Sequence, residues 1–241
     1  MTETFVASND IRLWTCAEGN GPGIILCNGG PGSCDYLAPV AAMLPDVGQV
    51  IRFEGRGCGR SAPAPAYSVE TSLADLELIR HHYNIDQWII IGHSWGADLA
   101  LFYALQYAAH VRGFVCLAGG RVHNDREWHR TYAENREQER ATLPIFAYPP
   151  NMTVNEHVNQ SWKQYIQRPT LFKDLAQLNR PALFVYGTQD IRPSWPVQQV
   201  AALLPQAQFM WIEGADHHLW VTHAETLQTL LQRFVRDVAR T

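Results

Sequence analysis

Short apolar, β-branched runs recur along the chain at 11–16, 23–27, 47–53, 88–92, 113–118, 182–187 and 208–212, and helix-like stretches separate many of them. Strands this apolar have no wet face, so they must be covered on both sides. The alternation therefore predicts an α/β fold, a mostly parallel central sheet flanked by helices. Helices are expected over 36–44, 69–83, 95–109, 195–204 and 222–238; in the second, Leu73, Leu76, Ile79 and Tyr83 are spaced for one helical face. With 241 residues, 46% of them hydrophobic, the chain can bury a sizeable core. One interval breaks the rhythm: residues 121–178, rich in Arg, Glu, Tyr, Trp and Pro, are too many for an ordinary connection. We read 121–178 as a small helical lid inserted into a core built from 1–120 and 179–241, and the APAPA stretch at 62–66 as a loop.

Charge and cysteine content exclude several partners. The net charge is −4, and seventeen arginines with two lysines are scattered without the basic stripe that neutralises phosphates, so nucleic acid is not expected. MTETFVASNDIRLWTC lacks a basic segment followed by an apolar one, and nowhere do about eighteen apolar residues run together, so neither export nor a membrane span is expected. Cys16, Cys27, Cys34, Cys58 and Cys116 are odd in number and form no C-x-x-C pair, which fits reduced thiols in a cytoplasm.

The chemistry starts at GHSWG, residues 92–96, the one G-x-S-x-G in the chain. It follows the strand pattern WIII (88–91) and precedes the helix pattern ADLALFY (97–103), the context of a nucleophile elbow. Such a turn holds Ser94 in a strained conformation at a helix N-terminus, whose amides favour the negative charge that develops in acyl transfer. A serine needs a base, and the expected chain order is Ser, acid, His. LFVYGTQD (183–190) is a strand run ending in a turn and an acid, so Asp190 is the expected orienting carboxylate. EGADHHLW (213–220) follows the next apolar run and offers His217 as the base, with Trp220 three positions on. His218 is expected to point elsewhere, Asp216 would have to fold back to reach the base, and His93 reads as a packed elbow residue. The loop NGGPG (28–32) after IILC (24–27) supplies a second oxyanion donor: Gly30 N–H, with Gly29 as the alternative, beside Trp95 N–H.

With these pieces together the chain resembles the α/β-hydrolase superfamily over nearly its whole length, and most closely its proline iminopeptidase branch. That branch carries HGGPG, DQRGxGRS and GHSWG; here stand NGGPG at 28–32, EGRGCGRS at 54–61 and GHSWG at 92–96. The resemblance implies the α/β-hydrolase fold, a Ser-Asp-His triad and a lid over the site. The departures bear on substrate: Asn28 stands for the family histidine, Glu54-Gly55 for Asp-Gln, and the lid is shorter than an iminopeptidase cap. An aminopeptidase must hold a free ammonium with carboxylates. Glu127, Glu134, Glu137, Glu139 and Glu156 are available, but Arg121, Arg126, Arg130, Arg136 and Arg140 are interleaved with them, and mutual ion pairing on solvated helices is expected. Arg56 and Arg60 are expected to brace the loop behind the elbow through backbone carbonyls.

The expected activity is hydrolysis of an ester or amide through an acyl-enzyme, proline-iminopeptidase-like, with a carboxylesterase or lactonase as the alternative. A small-molecule receptor on a hydrolase fold is the reading from another class. The partner is a small-molecule ester, amide or short peptide, lined by lid aromatics, chiefly Trp128, Tyr132 and Trp162, with Phe146, Tyr148 and Tyr165 as further candidates. No cofactor is required, and His81, His82, His123, His129 and His223 show no metal-ligand spacing.

Overall fold

The computed structural model describes residues 1–64, 66–138 and 144–240; Pro65 of the expected 62–66 loop, and Glu139 and Arg140 of the lid, lie outside them. The strands are β1 (Thr2–Ser8), β2 (Ile11–Glu18), β3 (Gly23–Cys27), β4 (Gln49–Phe53), β5 (Trp88–His93), β6 (Val111–Leu117), β7 (Ala182–Gly187) and β8 (Ala207–Ile212). They form one sheet in the order β1-β2-β4-β3-β5-β6-β7-β8. The pairs β1–β2 and β2–β4 are antiparallel and the rest parallel. The expected runs fall on β2 to β8. β1 escaped the pattern because it is an edge strand in which only Val6 is buried.

Helices α1 (Ala38–Ala41), α2 (Val69–His82), α3 (Trp95–Gln106), α4 (Arg126–Asn135), α5 (Met152–Tyr165), α6 (Leu171–Gln177), α7 (Trp195–Leu203), α8 (Leu219–Thr222) and α9 (Ala224–Ala239) cover both faces. Side chains alternate along each strand, so one apolar cluster gathers Ile25, Ile90, Phe114 and Phe184 against α2, α3 and α7. The other gathers Ile24, Ile89, Val115 and Val185 against α1 and α9. In α9, Leu227, Leu231 and Val235 form one fully buried stripe, each worth about 1.5–3 kcal/mol of transfer.

Two expected helices differ. The 36–44 helix keeps one α-helical turn, 38–41; beyond it Met43 N and Leu44 N donate to Val40 O (3.1 Å) and Ala41 O (3.0 Å), tighter three-residue turns that lead to Pro45. The 222–238 helix starts two residues later, at Ala224, because His223, with φ of −130° and ψ of 41°, lies outside the helical region; Thr222 instead closes the short α8. α2 starts where its capping box requires: Ser68 Oγ accepts from Thr71 N (3.2 Å), and Thr71 Oγ1 accepts from Ser68 N (2.9 Å).

Between β6 and β7, helices α4 to α6 occupy the stretch read from sequence as the lid. Trp162, Tyr165, Leu171 and Leu175 belong to the cluster built on α2, α3 and α7, so this insertion shares the core. The loop after β4 corrects the expected bracing through carbonyls. Arg56 pairs with the buried Asp75 through Nε (2.8 Å) and Nη2, and Arg60 holds Glu54 through Nε (3.1 Å) and Nη2 (2.7 Å). The physical reason is that the Glu54 and Asp75 side chains are both buried and each needs a cation. Gly59 has φ +50°, and a Cβ there would sit 2.4 Å from the Glu54 carboxyl.

Candidate active site

Parallel pairing brings the carboxyl ends of β3, β5, β6 and β7 to one edge, with Cys27 opposite Gly92 and His93 opposite Leu117. Open α/β sheets bind ligands at this edge. Ser94 follows β5 as the residue before α3, with φ 56° and ψ −122°. Such a backbone costs a non-glycine residue about 1–3 kcal/mol and persists only where its surroundings enforce it. Its N–H donates to Leu117 O (2.8 Å). A Cβ on Gly92 would lie 2.0 Å from Gly96 O, and one on Gly96 would lie 2.0 Å from Cys27 O. The two glycines of GHSWG are therefore required by backbone packed on backbone.

Asp190 and His217 are brought together by the loops after β7 and β8. Thr188 N and Gln189 N donate to Ile212 O (3.2 Å) and Ala215 O (2.8 Å), zipping the two loops. His217 Nδ1 lies 2.7 Å from Asp190 Oδ2, and both side chains are buried. Asp190 Oδ1 accepts from Arg192 N (2.9 Å) and Nη1 (3.4 Å). Burial pushes the Asp190 carboxyl up to about 6, against the pull of the Arg192 charge and hydrogen bonds. Asp216 accepts from His218 N (2.9 Å), so it shapes the loop. His218 does not stand away from the site; it is buried, its ring 5.2 Å from that of His93 and 5.5 Å from that of Trp220.

His93 is packed, as expected, but it also ties three loops together. Its Nε2 lies 3.0 Å from His217 O, and a carbonyl only accepts, so Nε2 carries the proton. Burial, with His217 and His218 alongside, pushes the His93 imidazolium well below the usual range, so the ring is neutral and its Nδ1 bare. Nδ1 then accepts from the Tyr36 hydroxyl (2.7 Å), whose oxygen accepts from Gly29 N (2.7 Å). The chain of bonds links the NGGPG loop, the residue before Ser94 and the backbone of His217. The His93 and His217 rings are 4.7 Å apart.

This bond engages the Gly29 amide, which corrects the Gly29 alternative. Gly30, at φ +64°, is exposed, and among the described residues neither its amide nor that of Trp95 donates to a protein acceptor. The loop is held from above by α5: Asn151 N donates to Gly32 O (2.8 Å), and Asn155 Nδ2 to Pro31 O (2.8 Å). From within, Asn28 Nδ2 approaches Gly29, Ser33 and Cys34 carbonyls, each at 3.3 Å.

Ser94 borders a cavity of about 90 Å³ whose wall includes Trp95, Trp128 and Trp162. Tyr132 stands behind this wall, stacked on Trp128 (5.7 Å) with the Arg192 guanidinium 4.7 Å from its ring. Of the other aromatics of 121–178, Phe146 packs edge-on against Tyr36, Tyr148 is exposed, and Tyr165 packs on Phe102 in the core. The expected apolar lining is also corrected: Asp98, Arg121 and Arg192 share the wall. Asp98 Oδ1 accepts from Gly120 N (2.8 Å) and Arg121 N (3.0 Å), and burial pushes its carboxyl up to about 6. Arg130 pairs with Glu127 and Glu134 on the exposed face of α4, as the interleaved charges predict. Arg121 does not join them; its guanidinium lies between the rings of Trp128 (4.1 Å) and Trp162 (4.4 Å).

A family model described as the alpha/beta hydrolase fold matches residues 22–148. The chain belongs to this family. Proline iminopeptidases of Neisseria meningitidis and Saccharolobus solfataricus are each 34% identical to this hydrolase-fold chain, over 99 and 107 residues, or 40% and 42% of it. Those stretches are 32% and 34% of the relatives, so the chain spans about a third of the length of the curated relatives it matches. An esterase structure from Thermogutta terrifontis superposes with a TM-score of 0.80 at 20% identity, covering 99% of this chain and 100% of the other. A proline iminopeptidase structure from Mycobacterium smegmatis gives 0.74 at 15% identity, covering 99% of each. These two likenesses concern the fold.

Three site residues escaped sequence reasoning. Arg192 lies two residues past Asp190, within reach of its carboxylate. Asp98 is the one acid in an otherwise apolar helix turn, a signal available in ADLALFY. Tyr36 carries no local signal, because its ring partner His93 ends β5, 57 residues away.

Proposed function

We propose that the chain is a serine hydrolase that cleaves an ester or amide through an acyl-enzyme at Ser94. The observation that carries this reading is the 2.7 Å bond between His217 Nδ1 and Asp190, two buried side chains at the edge where Ser94 sits in its strained turn. With Nδ1–H directed at the carboxylate, neutral His217 keeps Nε2 bare as the base for the Ser94 hydroxyl, then returns the proton to the leaving group. The amides of Gly30 and Trp95 receive the oxyanion. The helices of 121–178 act as the lid, with Trp128 and Trp162 against the substrate and Tyr132 behind them. Fluorophosphonate labelling tests the reading: the folded chain should be modified at Ser94, and the Ser94→Ala variant should not. A folded chain that resists labelling would support the receptor reading instead.

Between acyl classes, the matched motifs speak for a proline-iminopeptidase-like peptidase, and the cavity wall speaks for an ester. Among the described residues, the carboxylates near Ser94 are already engaged: Asp98 by two amides, Asp190 by His217 and Arg192. Neither offers an ammonium group a free partner, which favours the carboxylesterase reading. Rates on proline p-nitroanilide and on p-nitrophenyl acyl esters separate the two. Efficient cleavage of the proline amide would return the assignment to the peptidase.

A further inference from the structure

Arg121 is the odd group in the cavity wall. Guanidinium groups in folded chains are paired or solvated. Here the guanidinium carbon lies 4.1 Å from the Trp128 ring centroid and 4.4 Å from that of Trp162, and Nη1 donates to His123 O (2.7 Å). Among the described residues no carboxylate reaches ion-pair distance of its guanidinium; Asp98, which shares the cavity wall, has Oδ1 turned to the Gly120 and Arg121 amides. Burial pulls the Arg121 pKa down, with Asp98 and Tyr186 opposing and Arg192 adding to the fall. Two ring contacts and one hydrogen bond restrain the side chain, and among the described residues its Nε and Nη2 donate to no protein acceptor, which leaves N–H donors of the kind that bind a carboxylate.

We infer that the cleft selects a substrate whose acyl part carries a free carboxylate, a half-ester or half-amide of a dicarboxylic acid, bound at the Arg121 edge with Arg192 lending its field. This rests on the assignment of Ser94 as nucleophile, since Ser94 and Arg121 face the same cavity. A cationic amine substrate would meet the same two arginines unfavourably. A purely architectural role, with Arg121 as a strut joining Trp128 of α4 to Trp162 of α5, makes a different forecast, because it affects every substrate alike.

The test compares mono-p-nitrophenyl adipate with neutral p-nitrophenyl hexanoate on the full chain. The inference expects kcat/KM to favour the half-ester by about tenfold or more, the worth of one charge-assisted contact. Arg121→Gln should erase that preference, lowering kcat/KM for the half-ester about tenfold more than for the neutral ester and doing so through KM. Equal rates on both esters in the wild type, or a parallel loss on both in Arg121→Gln, would overturn it. Should Arg121→Gln fail to fold, inhibition of hexanoate hydrolysis in the wild type decides: adipate must compete more strongly than hexylammonium, and the reverse order refutes the inference. Calorimetric titration of adipate into Ser94→Ala separates the two assignments. Binding there with no turnover of either ester by the wild type would leave the anion site standing and remove the hydrolase reading; absence of binding would remove the anion site alone.

Discussion

Replacing Asp98 by Asn tests the electrostatics of the cavity wall most sharply. The amide keeps the Oδ1 acceptor that Gly120 N and Arg121 N use, and it removes a buried charge. Burial raises the carboxyl from 3.8 to about 6 in the folded chain. Between those values the native state binds more protons than the unfolded one, so this group's stabilisation is complete below pH 4, falls as pH rises toward 6, and is flat above. Two pKa units correspond to about 3 kcal/mol. Urea unfolding followed by tryptophan fluorescence should be run on wild type and Asp98→Asn from pH 4 to pH 7.5. Every other titrating group is common to both chains, so the difference in unfolding free energy isolates residue 98. It should move by about 3 kcal/mol in favour of the variant as pH rises. A flat difference, or one moving the other way, would mean that Asp98 is held as a tight ion pair, and it would take away the unpaired state argued for Arg121.

Gly96→Ala places a Cβ 2.0 Å from Cys27 O, a clash with backbone that cannot turn away; soluble yield and Tm should fall steeply, by about 1–3 kcal/mol of overpacking or more. Tyr36→Phe leaves Gly29 N–H and His93 Nδ1 without their shared partner, which should cost about 1–3 kcal/mol in chemical unfolding and lower kcat more than it raises KM. Asp190→Asn should stay folded by circular dichroism yet lose roughly 10⁴-fold in kcat, because the amide holds His217 in the wrong tautomer. Hydrolysis in the wild type should decline as pH falls through about 6, where the buried Asp190 carboxyl takes up its proton; a profile unchanged down to pH 4.5 would show that protonation of Asp190 near 6 does not control the reaction.

The central sheet was legible because its strands are apolar on both faces: GIILC, WIII and LFVYG each announce a strand buried from above and below. β1 was not, since an edge strand with one buried side chain carries no such pattern. GHSWG was readable as a turn because its glycines answer a local steric demand, and the meeting of Asp190 with His217 was foreseeable because each lies on the loop that follows a legible strand. The character of the cavity was hidden for the opposite reason. Arg121 sits in a run of alternating charges that reads as a solvated helix face, and only the tertiary approach of Trp128 and Trp162 takes it out of that pattern. Tyr36 was invisible for the same cause, since its partners Gly29 and His93 lie 7 and 57 residues away.

The account turns on covalent chemistry at one hydroxyl. Acid quenching during turnover of a p-nitrophenyl acyl ester, followed by intact-mass and peptide mass spectrometry, reads it directly. An acyl adduct on the peptide containing Ser94, absent in Ser94→Ala and accumulating when His217 is replaced by Ala only after far longer incubation, is the predicted result. An adduct on another residue, or ester hydrolysis undiminished in Ser94→Ala, would contradict it.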